Sequence, residues 1–124
     1  MNKKRPKHLA LHTIKLPLPG LISILHRVSG LVLFFSLPLI LWLFQSSLHS
    51  IETYTQLKII FYYPLSKIIL LGLAWFFFHH FCAGIRYLGL DFHMGTNLKQ
   101  ARSSSRWVLV AGILLTILAG SWLC

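Results

Sequence analysis

Three long apolar runs, separated by two polar stretches, organise this chain. The first extends from Leu21 to Leu48, and no charged residue interrupts it between Val28 and Leu48. A helix crossing a bilayer core needs about 20 predominantly apolar residues, so the run predicts a span over 21–48. Pro38 lies mid-span, where membrane helices tolerate a kink. The second run extends from Leu57 to Gly89; Lys67 interrupts it, and Ile68 to Ile85 is uncharged. A helix that long tilts or projects beyond the membrane. The third run, Trp107 to Cys124, reaches the end of the chain. Residues 45–53 are predicted as a polar loop, and residues 91–106 as a second loop carrying Lys99, Arg102 and Arg106. The pattern predicts an all-α integral membrane protein with three transmembrane helices. Its organisation is an N-terminal arm over residues 1–20 and a single transmembrane domain over 21–124.

Composition agrees. The 124 residues are 56% hydrophobic and 11% charged, with mean hydropathy +0.69, whereas soluble domains are about 25% charged. A length of 124 residues suits about three spans and no separate extramembrane enzyme domain. Glu52 and Asp91 are the only acidic residues against 12 Lys and Arg, for a net charge of +10. The cations cluster: Lys3, Lys4, Arg5, Lys7 and Lys15 lie in the arm, and Arg86, Lys99, Arg102 and Arg106 flank the second connection. The first connection has only Lys58, offset by Glu52. Such clusters lie on the cytoplasmic side and touch anionic headgroups. The expected topology is therefore multi-pass, with the N-terminus cytoplasmic and the C-terminus periplasmic. No nucleic-acid partner is expected, because no stacking-aromatic motif or zinc-finger spacing accompanies the charge.

Cys82 and Cys124 give no disulfide framework, no Cys-x-x-Cys and no covalent haem-attachment motif; both read as small apolar packing residues. The arm has no unbroken apolar stretch or small-residue cleavage site before Gly20, so it reads as a mature lead-in rather than a signal peptide. Pro17 and Pro19 are expected to keep it extended up to the first helix. The arm is also short for a mitochondrial transit peptide plus lead-in, which favours a bacterial inner membrane.

Candidate chemistry sits at two span ends that the topology brings to one face. Span one opens with Ser23-Ile24-Leu25-His26-Arg27-Val28-Ser29-Gly30. At about 100° per residue, Ser23, Arg27 and Gly30 share a face and His26 lies beside it. Span two closes with His79-His80-Phe81-Cys82-Ala83-Gly84-Ile85-Arg86-Tyr87 and, four residues on, Asp91. His80, Gly84 and Tyr87 stack on one face, and Gly84 admits something flat and bulky near the backbone. Arg86 lies about 9 Å nearer the cytoplasm than His80. Ionisable groups inside membrane helices are costly and normally face a partner or cofactor. The plainer alternatives are that Arg27 and Arg86 snorkel to headgroups, that a single His bonds a neighbouring helix's carbonyl, and that Ser23 caps a helix. His79 and His80 point about 100° apart, so at most one faces a given site. His8, His12, His49 and His93 read as solvated, Lys67 as a snorkelling residue, and Phe76-Phe77-Phe78 and Trp42 as lipid-facing bulk.

The segment 23–30 resembles the S-I-x-H-R-x-[ST]-G signature of the cytochrome b membrane-anchor subunit of succinate dehydrogenase, the quinone-linked respiratory complex II. His80-x-x-x-Gly84-Ile85-Arg86-Tyr87 through Asp91 resembles that family's second signature, H-x-x-x-G-[IL]-R-[HY]-x-x-x-D, and Arg5-Pro6-Lys7-His8-Leu9 is similar to its R-P-x-x-L lead-in. The resemblance covers essentially the whole chain in the right order. One departure is Tyr87, where many relatives carry His. The doubled His79-His80 is resolved by the spacing to Gly84 in favour of His80.

The resemblance implies a helical bundle formed with a second, smaller membrane-anchor subunit, attached to an iron–sulfur subunit and a flavoprotein subunit. It implies haem b shared between the two anchors, one axial His from each, with His80 the iron ligand on this chain. His26 and Arg27 are the implied partners of the haem propionates. Ser23 and Arg27 resemble the family's contacts to ubiquinone, through which electrons from succinate oxidation would leave. The chain is thus expected to be a non-catalytic-domain subunit of an oxidoreductase, without catalytic residues of its own but contributing to the quinone site. Two alternatives are a haem-free structural anchor and a small multi-span transporter module. The latter needs an intramembrane carboxylate, and Glu52 and Asp91 both lie outside the uncharged spans.

Overall fold

The computed structural model describes residues 15–124 as four helices: α1 (Leu18–His49), α2 (Ile51–Tyr62), α3 (Pro64–Asp91) and α4 (Leu98–Leu123). Lys3, Lys4, Arg5 and Lys7 of the arm's cation cluster and the Arg5-to-Leu9 lead-in fall outside the described residues, which begin at Lys15. No strand occurs among those described, and α1, α3 and α4 are each long and apolar enough to cross a membrane. The protein is all-helical.

Several boundaries differ from the sequence reading. Pro19 does not prolong an extended arm. It sits in the first turn of α1, after an N-cap at Pro17, where a helix has no use for the missing N–H. Residues 45–53 are not a loop either. Helix α1 continues through its polar tail to His49, and Ser50 alone reverses the chain by capping α2, its Oγ accepting from Thr53 N at 3.1 Å. The Thr53 hydroxyl closes the box back to Ser50 and also donates to the Ser46 carbonyl at 2.7 Å. What read as one tilted second span is two helices, α2 and α3, broken at Tyr63 ahead of Pro64. Proline excludes its preceding residue from the helical region. Helix α4 begins at Leu98, where the Asn97 side chain caps it by accepting from Lys99 N–H, and Lys99, Gln100, Ala101 and Arg102 are good helix formers lying outside the apolar run.

The interior is small. Ile22, Ala83 and Val108 are the buried hydrophobic residues among those described, while Phe34, Phe35, Trp42, Ile68 and Trp107 face outward. That inversion suits a surface meeting lipid and partner helices rather than water. Lys67 places its ammonium 5.1 Å from the Tyr62 ring centroid, beside the chain break.

The α3–α4 contact is the most extensive, and small residues build it. Ser105, Val108, Gly112 and Thr116 are buried on one face of α4 against His79 and Ala83 of α3. Ser105 and Thr116 donate to carbonyls of their own helix, at 2.8 and 2.7 Å. Their hydroxyls therefore enter the seam without an unmet hydrogen bond. A Cβ at Gly112 would lie 3.5 Å from His79 Cα. Gly112→Ala is expected to be tolerated, while Gly112→Phe wedges the helices apart; the yield of intact complex after detergent extraction checks this.

Candidate functional site

Where α1 and α3 cross, their signature segments meet. The His26 and His80 rings stack with centroids 4.3 Å apart and planes 8° from parallel. Gly30 makes the approach possible: a Cβ there would sit 3.0 Å from His80 Cε1. Across the same contact, a Cβ on Gly84 would lie 3.8 Å from His26 Nε2. Two glycines, one on each helix, thus receive the other helix's imidazole. Gly30→Ala is expected to push the His80 ring aside by a few tenths of an ångström, because the added methyl would meet a ring edge already held on its other side. A lower thermal stability of the purified protein, with its helical content retained, is the readout.

Two short contacts hold His80, and a third joins their partners. Its Nδ1 lies 3.1 Å from the carbonyl oxygen of His26 and 3.1 Å from Ser29 Oγ, and Ser29 Oγ donates to the same carbonyl at 2.8 Å. A carbonyl only accepts, so Nδ1 must carry the proton. In the tautomer with its one proton on Nδ1, the ring keeps a free lone pair on Nε2. Nε2 makes no hydrogen bond to another described residue. An imidazole fixed in this way is suited to ligate a metal. Among the described residues no three His, Cys, Asp or Glu side chains converge.

Tyr87 completes the wall. Its ring is 5.1 Å from that of His26, and its hydroxyl is buried with no hydrogen-bond partner among the described residues. A buried hydroxyl left unpaired costs about 1–3 kcal/mol, which marks it as a donor awaiting an acceptor. Arg86 does not snorkel: its Nε donates to Ser104 Oγ at 2.9 Å and its guanidinium lies 5.5 Å from the Tyr87 ring centroid. It is a strut between α3 and α4.

The adjacent histidines part company. His79 is fully buried against α4, stacked on Trp75 at 5.2 Å, and neither ring nitrogen has a partner among the described residues. His80 alone faces α1. Ser23 and Arg27 stand one turn apart on α1, with Arg27 exposed and Ser23 half-buried. Neither side chain bonds to another described residue. Ser23 is inside α1, not its cap. Ser29 and Gly30 are visible in the signature, but their contact with His80 requires the register between helices.

A family model for the succinate dehydrogenase/fumarate reductase transmembrane subunit matches residues 1–119. The chain belongs to this family. The succinate dehydrogenase cytochrome b556 subunit of Coxiella burnetii (strain RSA 493 / Nine Mile phase I) is 33% identical to it over 127 residues, covering 99% of each chain. That of Rickettsia felis (strain ATCC VR-1525 / URRWXCal2) is 34% identical, over 93% of this chain and 90% of its own. That of Paracoccus denitrificans is 30% identical, over 92% and 88%. As a succinate dehydrogenase membrane subunit, the chain is part of an oxidoreductase complex, and its three apolar helices make it a multi-pass membrane protein. The stacked histidines therefore belong to two of the helices long and apolar enough to cross the membrane.

Proposed function

We propose that this subunit binds haem b through His80, shares it with the second anchor subunit, and uses Ser23 and Arg27 to bind ubiquinone, so that electrons from succinate reach the quinone. The observation that carries the reading is the His80 ring. Its Nδ1 proton is committed to the His26 carbonyl and Ser29 hydroxyl, and Nε2 is left as the ligating atom. His80 would hold the iron on this chain and a histidine of the second anchor subunit would hold it on the other, with the iron–sulfur and flavoprotein subunits as the source of electrons.

The remaining residues fit the group. Gly30 and Gly84 keep side chains out of the space beside the imidazoles. Haem b carries two propionates, which accept hydrogen bonds and pair with guanidinium. The His26 ring, Arg27 and the unpartnered Tyr87 hydroxyl are available for them. When bound, haem supplies a one-electron redox centre whose potential depends on its axial ligands. Ser23 donates a hydrogen bond to a quinone carbonyl, and Arg27 offsets the negative charge that grows as the quinone is reduced. The His26–Gly84 and Arg86–Ser104 contacts put the start of α1, the end of α3 and the start of α4 at one end of the bundle. With the cations of the second connection there, that end is cytoplasmic and the C-terminus periplasmic, in a bacterial inner membrane.

The test is the dithionite-reduced minus oxidised absorption spectrum of the purified complex. A b-type spectrum with about one haem per complex supports the reading. A complex of all four subunits with no haem leaves the chain a structural anchor and overturns it.

A further inference from the structure

We propose that Ser29 is the positioning residue for the haem ligand, fixing both the orientation of His80 and the electron donation of its Nε2. This rests on the reading of His80 as the iron ligand. Ser29 is fully buried, and a helical serine can satisfy its hydroxyl on its own helix alone. Here the same oxygen also faces α3. Its proton goes to the His26 carbonyl at 2.8 Å, so toward His80 it acts as an acceptor, 3.1 Å from Nδ1.

The geometry is a closed triangle. The Nδ1–H is shared between two acceptors, the His26 carbonyl and Ser29 Oγ, each at 3.1 Å, and the hydroxyl ties those acceptors to one another. Gly30 bounds the ring at Cε1. The ring therefore cannot flip, which would exchange Nδ1 for a carbon, without losing both bonds. It cannot swing toward α1 without meeting the Gly30 backbone. Two acceptors on Nδ1–H also draw that proton outward and make Nε2 a stronger donor, as partners behind metal-bound histidines do. A stronger donor favours ferric over ferrous iron. Ser29 is thus a polar side chain whose removal changes the ligand without touching the cofactor.

The test compares Ser29→Ala, Ser29→Thr and His80→Leu in the assembled four-subunit complex. Redox titration of the haem, haem content per flavin, and the low-spin electron paramagnetic resonance signal are read in each. Ser29→Ala is expected to raise the haem midpoint potential, alter the low-spin signal and weaken haem retention by about 10–100-fold, the range for lost partners of metal ligands. Ser29→Thr keeps the hydroxyl and restores all three. A Ser29→Ala complex with the wild-type midpoint and haem content overturns the proposal. So does equal loss of assembled complex in the Ala and Thr variants, which makes position 29 a packing site. His80→Leu separates the two readings. If it retains the native signal, His80 is not the ligand and the parent reading fails. If it loses the signal while Ser29→Ala stays native, only the role of Ser29 fails.

Discussion

His80→Leu is expected to abolish the native haem spectrum while an assembled complex can still be purified. Leucine keeps the apolar volume at the α1–α3 crossing but supplies no lone pair at the Nε2 position. It also removes the Nδ1–H that joins α3 to the His26 carbonyl and to Ser29. Losing these bonds costs about 0.5–1.5 kcal/mol each, which bears on stability without dictating disassembly. The paired control is His79→Leu. His79 is fully buried on the α4 side with both nitrogens unpartnered, and exchanging an unpaired buried polar group for an apolar one is close to neutral. Its spectrum and midpoint are expected to match the wild type. The opposite result, a native spectrum in His80→Leu and loss in His79→Leu, would place the ligand one residue earlier.

Arg27→Leu is expected to suppress quinone reduction by well over tenfold, and Ser23→Ala by about tenfold. Loss of a hydrogen bond that strengthens as charge develops costs about 1–3 kcal/mol, and a charge-assisted contact roughly twice a neutral one. Neither side chain bonds to another described residue, and Arg27 is exposed, so removing them leaves the helix contacts intact. Succinate oxidation through a dye that accepts electrons upstream of the membrane should continue at the wild-type rate in the same membranes. A parallel fall in dye and quinone activities would assign both residues to assembly instead.

Span number and span type are legible in the sequence because an apolar run of membrane length has few other fates. Its subdivision is harder to read. The box at 50–53 has threonine instead of glutamate or glutamine at its third helical position, and the apolar residues of α2 merge with those of α3 across Tyr63-Pro64. The polar ends of α1 and α4 are hidden because hydropathy reports membrane depth, not helicity. Within the site, the choice of His80 over His79 follows from spacing to Gly84. Its setting does not. Ser29 and Gly30 meet His80 across some fifty positions of chain, and a hydroxyl-to-carbonyl bond within one turn of α1 looks local until α3 is placed beside it. Tyr87 reads as a departure from the signature, and only its burial shows a hydroxyl left without an acceptor.

The acceptors that orient His80 lie on α1, and one of them is main chain. No side-chain replacement at position 26 can delete that carbonyl, so His26 variants test its ring while the anchor behind His80 stays in place. The ring is also not oriented by its own helix. In a membrane, helices insert first and associate afterwards. Between those two stages α3 carries a histidine free to rotate about its side-chain bonds, and the proton on its ring is unassigned. Docking against α1 settles both. Tautomer selection is thereby a late event of biogenesis, and under the proposed ligation haem uptake through Nε2 would report whether the two helices have found their mutual register.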